Sequence, residues 1–180
     1  MADSLLRMAF PIEEVEAAFR TFWRTGNVTE QWDAWADLFT EDVVYHERVL
    51  GSMYGRAAVR AWILPLMEQY GEIYGVYEWH VADPSGRVVV YMQNRRDDPG
   101  GGKAFDFPGI TILQYAGDGR WSMEEDYWAQ NESKAAYKAW SEACKKHDPD
   151  HRSKRTRFDW GNAPEWARGP RFAEQPRWRR

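Results

Sequence analysis

The chain has 180 residues, enough for one domain with an extension, and 43% hydrophobic content with 16% aromatic residues can build a real core. A net charge of −4 argues against nucleic-acid binding by bulk charge, and the single cysteine, Cys144, excludes an internal disulfide and fits a reducing cytoplasm. No apolar run reaches about 18 residues, so no membrane span is expected, and the N-terminus lacks the basic-then-apolar order of a signal peptide.

Pro11 opens a helical pattern in which Ile12, Val15, Ala18, Phe19 and Phe22 recur at spacings of three and four, and Gly26-Asn27 is read as its end. Trp32, Trp35, Leu38 and Phe39 follow Thr29 as a second short helix. Val43 to Arg48 reads as a strand and residues 51–55 as a loop. Arg56 to Tyr70 returns to helical spacing, with a kink expected at Pro65. Tyr74–Val81, Arg87–Arg95, Phe105–Tyr115 and Arg120–Trp128 are rich in Val, Ile, Tyr and Trp and read as strands. Pro84-Ser85-Gly86, residues 98–102 and Gly117-Asp118-Gly119 are short turns, which favour antiparallel neighbours. Glu132 to His147 is helical again. Helices packed on one curved antiparallel sheet give an α+β fold, a cone with one open end of the kind that often holds ligands.

Two segments are therefore expected: residues 1–147 as the α+β domain and 148–180 as a basic tail rich in Trp, Arg and Pro. From His151 onward nine Arg or Lys stand against three Asp or Glu, while the preceding part is acidic. Periodicity fails in the tail, which suits disorder, yet three Trp and two Phe suit docking on the chain's own body or on a partner subunit.

Trp121 to Trp128 reads WSMEEDYW and sets three acids among large side chains. Strand alternation puts Glu124, Asp126 and Trp128 on one face and Trp121, Met123, Glu125 and Tyr127 on the other. Glu124 and Asp126 lie about 7 Å apart along such a strand. In a dry pocket, repulsion and poor solvation raise at least one of their pKa values, which suits proton exchange. On an exposed face they are ordinary solvated acids. In the first strand Val43, Tyr45 and Glu47 share a face, opposite Val44, His46 and Arg48. His46 is a proton shuttle or a surface residue, and His80 reads as a structural histidine. Four His and one Cys show no metal-ligand spacing. Gly100-Gly101-Gly102-Lys103 lacks the spacing of a phosphate loop and reads as a turn.

Four stretches, WADLFTEDVVYHE, YGRAAVRAW, FPGITILQYAGDGRW and EEDYW, together resemble the SnoaL-like branch of the nuclear transport factor 2-like superfamily, over residues 12 to 145. The resemblance implies a cone-shaped α+β barrel. That superfamily includes ketosteroid isomerases, limonene epoxide hydrolases, polyketide cyclases, scytalone dehydratases and non-catalytic proteins. Against the epoxide hydrolases, Asp126 matches the last member of their Asp-Arg-Asp set and Tyr45 the water-holding Tyr. Glu47 stands where they have Asn, and Met92 and Asn94 fall near their Arg and first Asp, so the set is broken. Against the ketosteroid isomerases, Glu47 or His46 lies near the base position. Against the polyketide cyclases, Asp126 matches a single general acid/base.

The resemblance thus implies a small hydrophobic substrate, polycyclic, terpenoid or polyketide-like, with Asp126 moving a proton and Tyr45 and Glu47 or Asn94 positioning substrate or water. Glu124, Met92, Trp128, Trp62 and His46 would complete the binding surface. No cofactor or metal is expected, and a homodimer is expected through the open sheet face. The alternative is a non-catalytic ligand-binding or dimerisation domain of the same fold.

Overall fold

The computed structural model of the chain describes residues 9–149, 155–157, 159–170 and 172–173. Helix α1 spans Ile12–Trp23, with Glu13 and Glu14 in its first turn and Arg20 in its last, the polarity that the helix dipole favours. Its apolar stripe of Val15, Ala18, Phe19, Phe22 and Trp23 is buried. Each such large side chain contributes about 1.5–3 kcal/mol by leaving water.

Gly26-Asn27 does not end this helix. The winding continues through one π-helical turn, Arg24–Val28, closed by Thr29 N–H donating to the Arg24 carbonyl at 2.8 Å. Gly26 sits under the Trp35 indole, where an added Cβ would lie 2.7 Å from Trp35 Cδ1. The glycine is there for close approach rather than for chain reversal.

Helix α2 is Trp32–Ala36. Strand β1 spans Phe39–Glu47 and β2 spans Gly51–Tyr54. The stretch expected as a loop is thus a strand, paired antiparallel with β1 from Val44↔Tyr54 to Glu47↔Gly51. Gly51, at φ 126°, permits the tight reversal, and Met53 drops into the core. Helix α3, Arg56–Gln69, runs on past Pro65. Strands β3 (Ile73–Ala82), β4 (Arg87–Arg96), β5 (Asp106–Gly117) and β6 (Arg120–Trp128) form the antiparallel succession that the short turns require, and α4 spans Gln130–His147.

Among the described residues the main sheet has six strands in the order β2-β1-β6-β5-β4-β3. It curves but does not close, so β2 and β3 remain edges and the expected barrel is an open cone. The one parallel pair, β1 with β6, places Tyr45 opposite Glu124 and Glu47 opposite Asp126. An extra residue, Ser122, bulges β6 between Trp121 and Met123. The bulge resets the alternation, so Trp121 is fully buried on the same face as Glu124 rather than on that of Met123. No helix among the described residues is long and apolar enough to cross a membrane.

The tail packs against its own domain over its described part. Arg157 is buried, lies 4.3 Å from the Tyr74 ring, and pairs with Asp97 at 2.9 Å and with Glu30. Trp160 packs on Tyr74 at 5.1 Å between ring centroids, and Trp166 packs on Tyr77 at 5.0 Å and on Phe19 at 6.0 Å. Trp23 Nε1–H donates to the Ala167 carbonyl at 3.2 Å. Through Tyr74, Tyr77 and His80 on β3 and Phe19 and Trp23 on α1, the tail straps this edge strand to α1. Phe158 and Trp178 lie outside the described residues. His80 is structural in placement, held between the Tyr77 hydroxyl at 2.7 Å and Glu16 at 2.9 Å.

Candidate functional site

The inner face of the sheet is built by register. Reading across the strands, Val90, Thr111, Asp126 and Glu47 form one row, and Val88, Leu113, Glu124, Tyr45 and Met53 the next. Tyr45, Glu47, Thr111 and Glu124 are all buried, and Asp126 is half-buried.

The centre of this surface is Asp126. Tyr45 donates its hydroxyl to Oδ2 and Thr111 donates its hydroxyl to Oδ1. Burial pushes the Asp126 carboxyl up to about 6 in spite of these two donors, which pull it down, and the nearby Glu47 charge adds to the rise. Burial also raises the Tyr45 phenol well above its ordinary range, with the Asp126 charge as the next cause, so the phenol stays a donor. Glu124 is raised well above an ordinary carboxyl, first by burial and then by the Asp126 charge. Aromatic walls surround Tyr45, with Trp62 at 5.1 Å, Phe39 at 6.2 Å and Trp35 at 6.3 Å between ring centroids.

Glu47 is committed elsewhere. Its Oε1 accepts from Trp128 Nε1–H at 2.6 Å, and its Oε2 accepts from the backbone amides of Val49, at 3.1 Å, and Leu50. It ties the β1–β2 reversal to the end of β6, which is an anchoring task. Trp128 is thereby fixed and packs on Phe107 at 5.6 Å. Met92 is in the core beside this row, and Asn94 lies further along β4, where its amide makes a 3.4 Å bond to the Phe107 carbonyl.

His46 does not join them. It points to the opposite face, where Nδ1 meets Ser52 Oγ at 2.7 Å, so it does not line the Asp126 surface. Glu125 also faces out, held low by the Tyr127 hydroxyl and by Arg48. The three acids of β6 thus divide between an exterior ion pair and two interior carboxyls. Among the described residues no group of three His, Cys, Asp or Glu is placed to hold a metal ion.

One residue of this surface carries no signal in the sequence reading. Thr111 stands within an ordinary β-branched run, and only register brings it to Asp126.

Residues 15–124 match the SnoaL-like domain family. No curated protein sequence matches the chain. Among solved structures it is similar to a LEH-like epoxide hydrolase of M. tuberculosis, with a TM-score of 0.57 and 17% identity over 73% of this chain and 95% of that one. It is similar to the epoxide hydrolase/cyclase-like enzyme SalBIII, which has a role in pyran ring formation in polyether salinomycin, with a TM-score of 0.53 and 16% identity over 67% and 94%. A protein of ketosteroid isomerase-like fold from Catenulispora acidiphila, in complex with trimethylamine, gives a TM-score of 0.51 and 19% identity over 70% and 93%. At these identities the likeness is one of fold.

Proposed function

Because the chain belongs to the SnoaL-like domain family, we propose that it is a small-molecule enzyme in which Asp126 transfers a proton. The observation that carries this reading is an interior carboxylate clamped by two hydroxyls, with its ionisation pushed up to about 6. A base near the working pH takes a proton readily and can return it, which is the requirement for general acid/base work. Tyr45 and Thr111 hold the carboxylate in one orientation. Trp62, Met92 and Trp128 offer apolar and aromatic surface to a hydrophobic substrate of polycyclic, terpenoid or polyketide-like character. Asn94 offers the amide that orients it. The reactions that fit are isomerisation, hydration, dehydration and cyclisation.

The broken Asp-Arg-Asp set weighs against epoxide opening by the route of the epoxide hydrolases, since Met92 and Asn94 stand near its missing members. The experiment is to identify by mass spectrometry any compound that co-purifies with the protein, then to follow its conversion by the unaltered protein and by Asp126→Asn. Equal turnover by the two removes Asp126 from the chemistry.

A second reading, a non-catalytic binding or dimerisation domain, is favoured by the packing of Trp35, Phe39 and Trp62 around Tyr45, which fills much of the interior with the chain's own rings. Under either reading the chain is a homodimer joined through the outer sheet face. There Trp79, Tyr91, Ile110 and Tyr127 run in one cross-strand row, with Trp79, Ile110 and Tyr127 exposed.

A further inference from the structure

Glu124 has no part in the proton transfer described above, yet it is 4% exposed and its Oε2 has no hydrogen-bond partner. From β1, Tyr45 and Glu47 face it; from its own strand, Asp126; from β5, Leu113 and Thr111. The helix α3 contributes Trp62, which packs on Tyr45. None of these groups is a cation, and no ion pair among the described residues includes Glu124. An ionised carboxylate in such a place would leave a buried charge without a counterion, beside a second carboxylate. A protonated carboxyl is neutral and gains a donor.

The needed acceptor is at hand. Tyr45 gives its one proton to Asp126, so the lone pairs of its oxygen remain, and the β1–β6 register sets Tyr45 directly opposite Glu124.

We propose that Glu124 is a permanently neutral acid that donates to the Tyr45 oxygen, forming a chain Glu124–Tyr45–Asp126 that holds the negative charge on Asp126 alone. In the resting site Glu124 carries a proton, Tyr45 carries a proton, and Asp126 is charged. When Asp126 takes a proton from a substrate atom, the chain becomes uncharged. When that proton returns to the substrate, the resting state is restored, and Glu124 and Tyr45 keep theirs throughout. Glu124 is a positioning residue: by donating to the Tyr45 oxygen it strengthens the Tyr45 hydroxyl as a donor, and so sets the basicity of Asp126. The link to turnover rests on the proton-transfer reading of Asp126, but the protonation state of Glu124 does not.

The test is carboxyl-carbon NMR of the full chain labelled at Glu and Asp, titrated from acid to alkaline pH, with Glu124→Gln assigning the resonance. We expect one glutamate carboxyl to stay protonated at pH 7 and to vanish in Glu124→Gln. Glutamine keeps a neutral donor, so the Asp126 midpoint should stay near that of the unaltered protein. Glu124→Leu removes the donor and should raise the Asp126 midpoint by about half a pH unit or more. No protonated glutamate carboxyl at pH 7 in the unaltered protein overturns the proposal even if no variant folds. Equal Asp126 midpoints in the Gln and Leu variants overturn the coupling through Tyr45. Unchanged turnover by Asp126→Asn would remove the catalytic reading while leaving the neutral Glu124 in place, so the two failures are distinguishable.

Discussion

Tyr45 and Asp126 are 81 positions apart in the chain, yet the Tyr45 hydroxyl donates directly to the Asp126 carboxylate across the parallel β1–β6 pair. Parallel neighbours need a long crossover between them. Here that crossover is the remainder of the sheet with α3, so this contact forms only when the whole domain has folded.

Asp126→Asn should lower kcat/KM for the identified substrate by about 10²-fold or more, the usual scale for loss of a general base. The same variant has a signature in stability. The Asp126 carboxyl is raised from 3.8 to about 6 on folding, so its protonated form is the one the fold favours. Its contribution is fully present below about pH 4 and is lost as pH climbs through about 6. Urea denaturation should therefore show Asp126→Asn gaining on the unaltered protein between pH 4 and pH 7, by at most about 3 kcal/mol. A difference that does not vary over this window would contradict the buried, raised carboxyl.

Thr111→Val keeps the shape of the side chain and removes one of the two donors to Asp126. The Asp126 midpoint should move upward from about 6, because the donor that stabilises its charged form is gone. Stability at neutral pH should fall by about 1 kcal/mol. The acid limb of a pH–rate profile reads the first effect and a denaturation curve the second.

Trp166→Ala should destabilise the domain by about 2–3 kcal/mol, somewhat less than for a fully buried Trp, since the ring is half-buried against Phe19 and Tyr77. Deleting residues 155–180 should cost more, because Arg157 and Trp160 leave with it and Tyr74 and Val76 are uncovered. Thermal melts of both variants check this. A truncated protein as stable as the full chain would mean that the tail contacts contribute nothing.

Sedimentation velocity should find the unaltered protein as a dimer at micromolar concentration, and a double change of Trp79→Glu with Ile110→Glu should give a folded monomer. Both side chains are exposed on the outer face and touch neither the core nor Asp126, so the fold should survive. A monomer before any substitution removes the sheet-face interface.

Gly26→Ala should cost about 1–3 kcal/mol, as overpacking against the Trp35 indole forces the ring or the π turn to shift. Ala is the better helix former, so a stabilised variant would show that the turn has room. Circular dichroism melts decide between the two.

What the sequence determines by itself is local. Period-two patterning placed Tyr45 and Glu47 on one face of β1 and Glu124 with Asp126 on one face of β6, because successive side chains of a strand alternate whatever lies beside it. Short turns after Ala82 and Gly117 likewise favoured antiparallel neighbours. The tertiary structure alone decided which strands adjoin. That choice gave Asp126 its Thr111 and Tyr45 donors, committed Glu47 to Trp128 and the hairpin amides, and sent His46 outward. It also turned residues 51–54 into a strand, since a glycine-led segment pairs only when a ladder is offered. The Ser122 bulge, which moved Trp121 to the inner face, and the docking of the tail on β3 have the same origin. Hydrogen-bond register and burial are properties of pairs of segments, and no single segment encodes its partner.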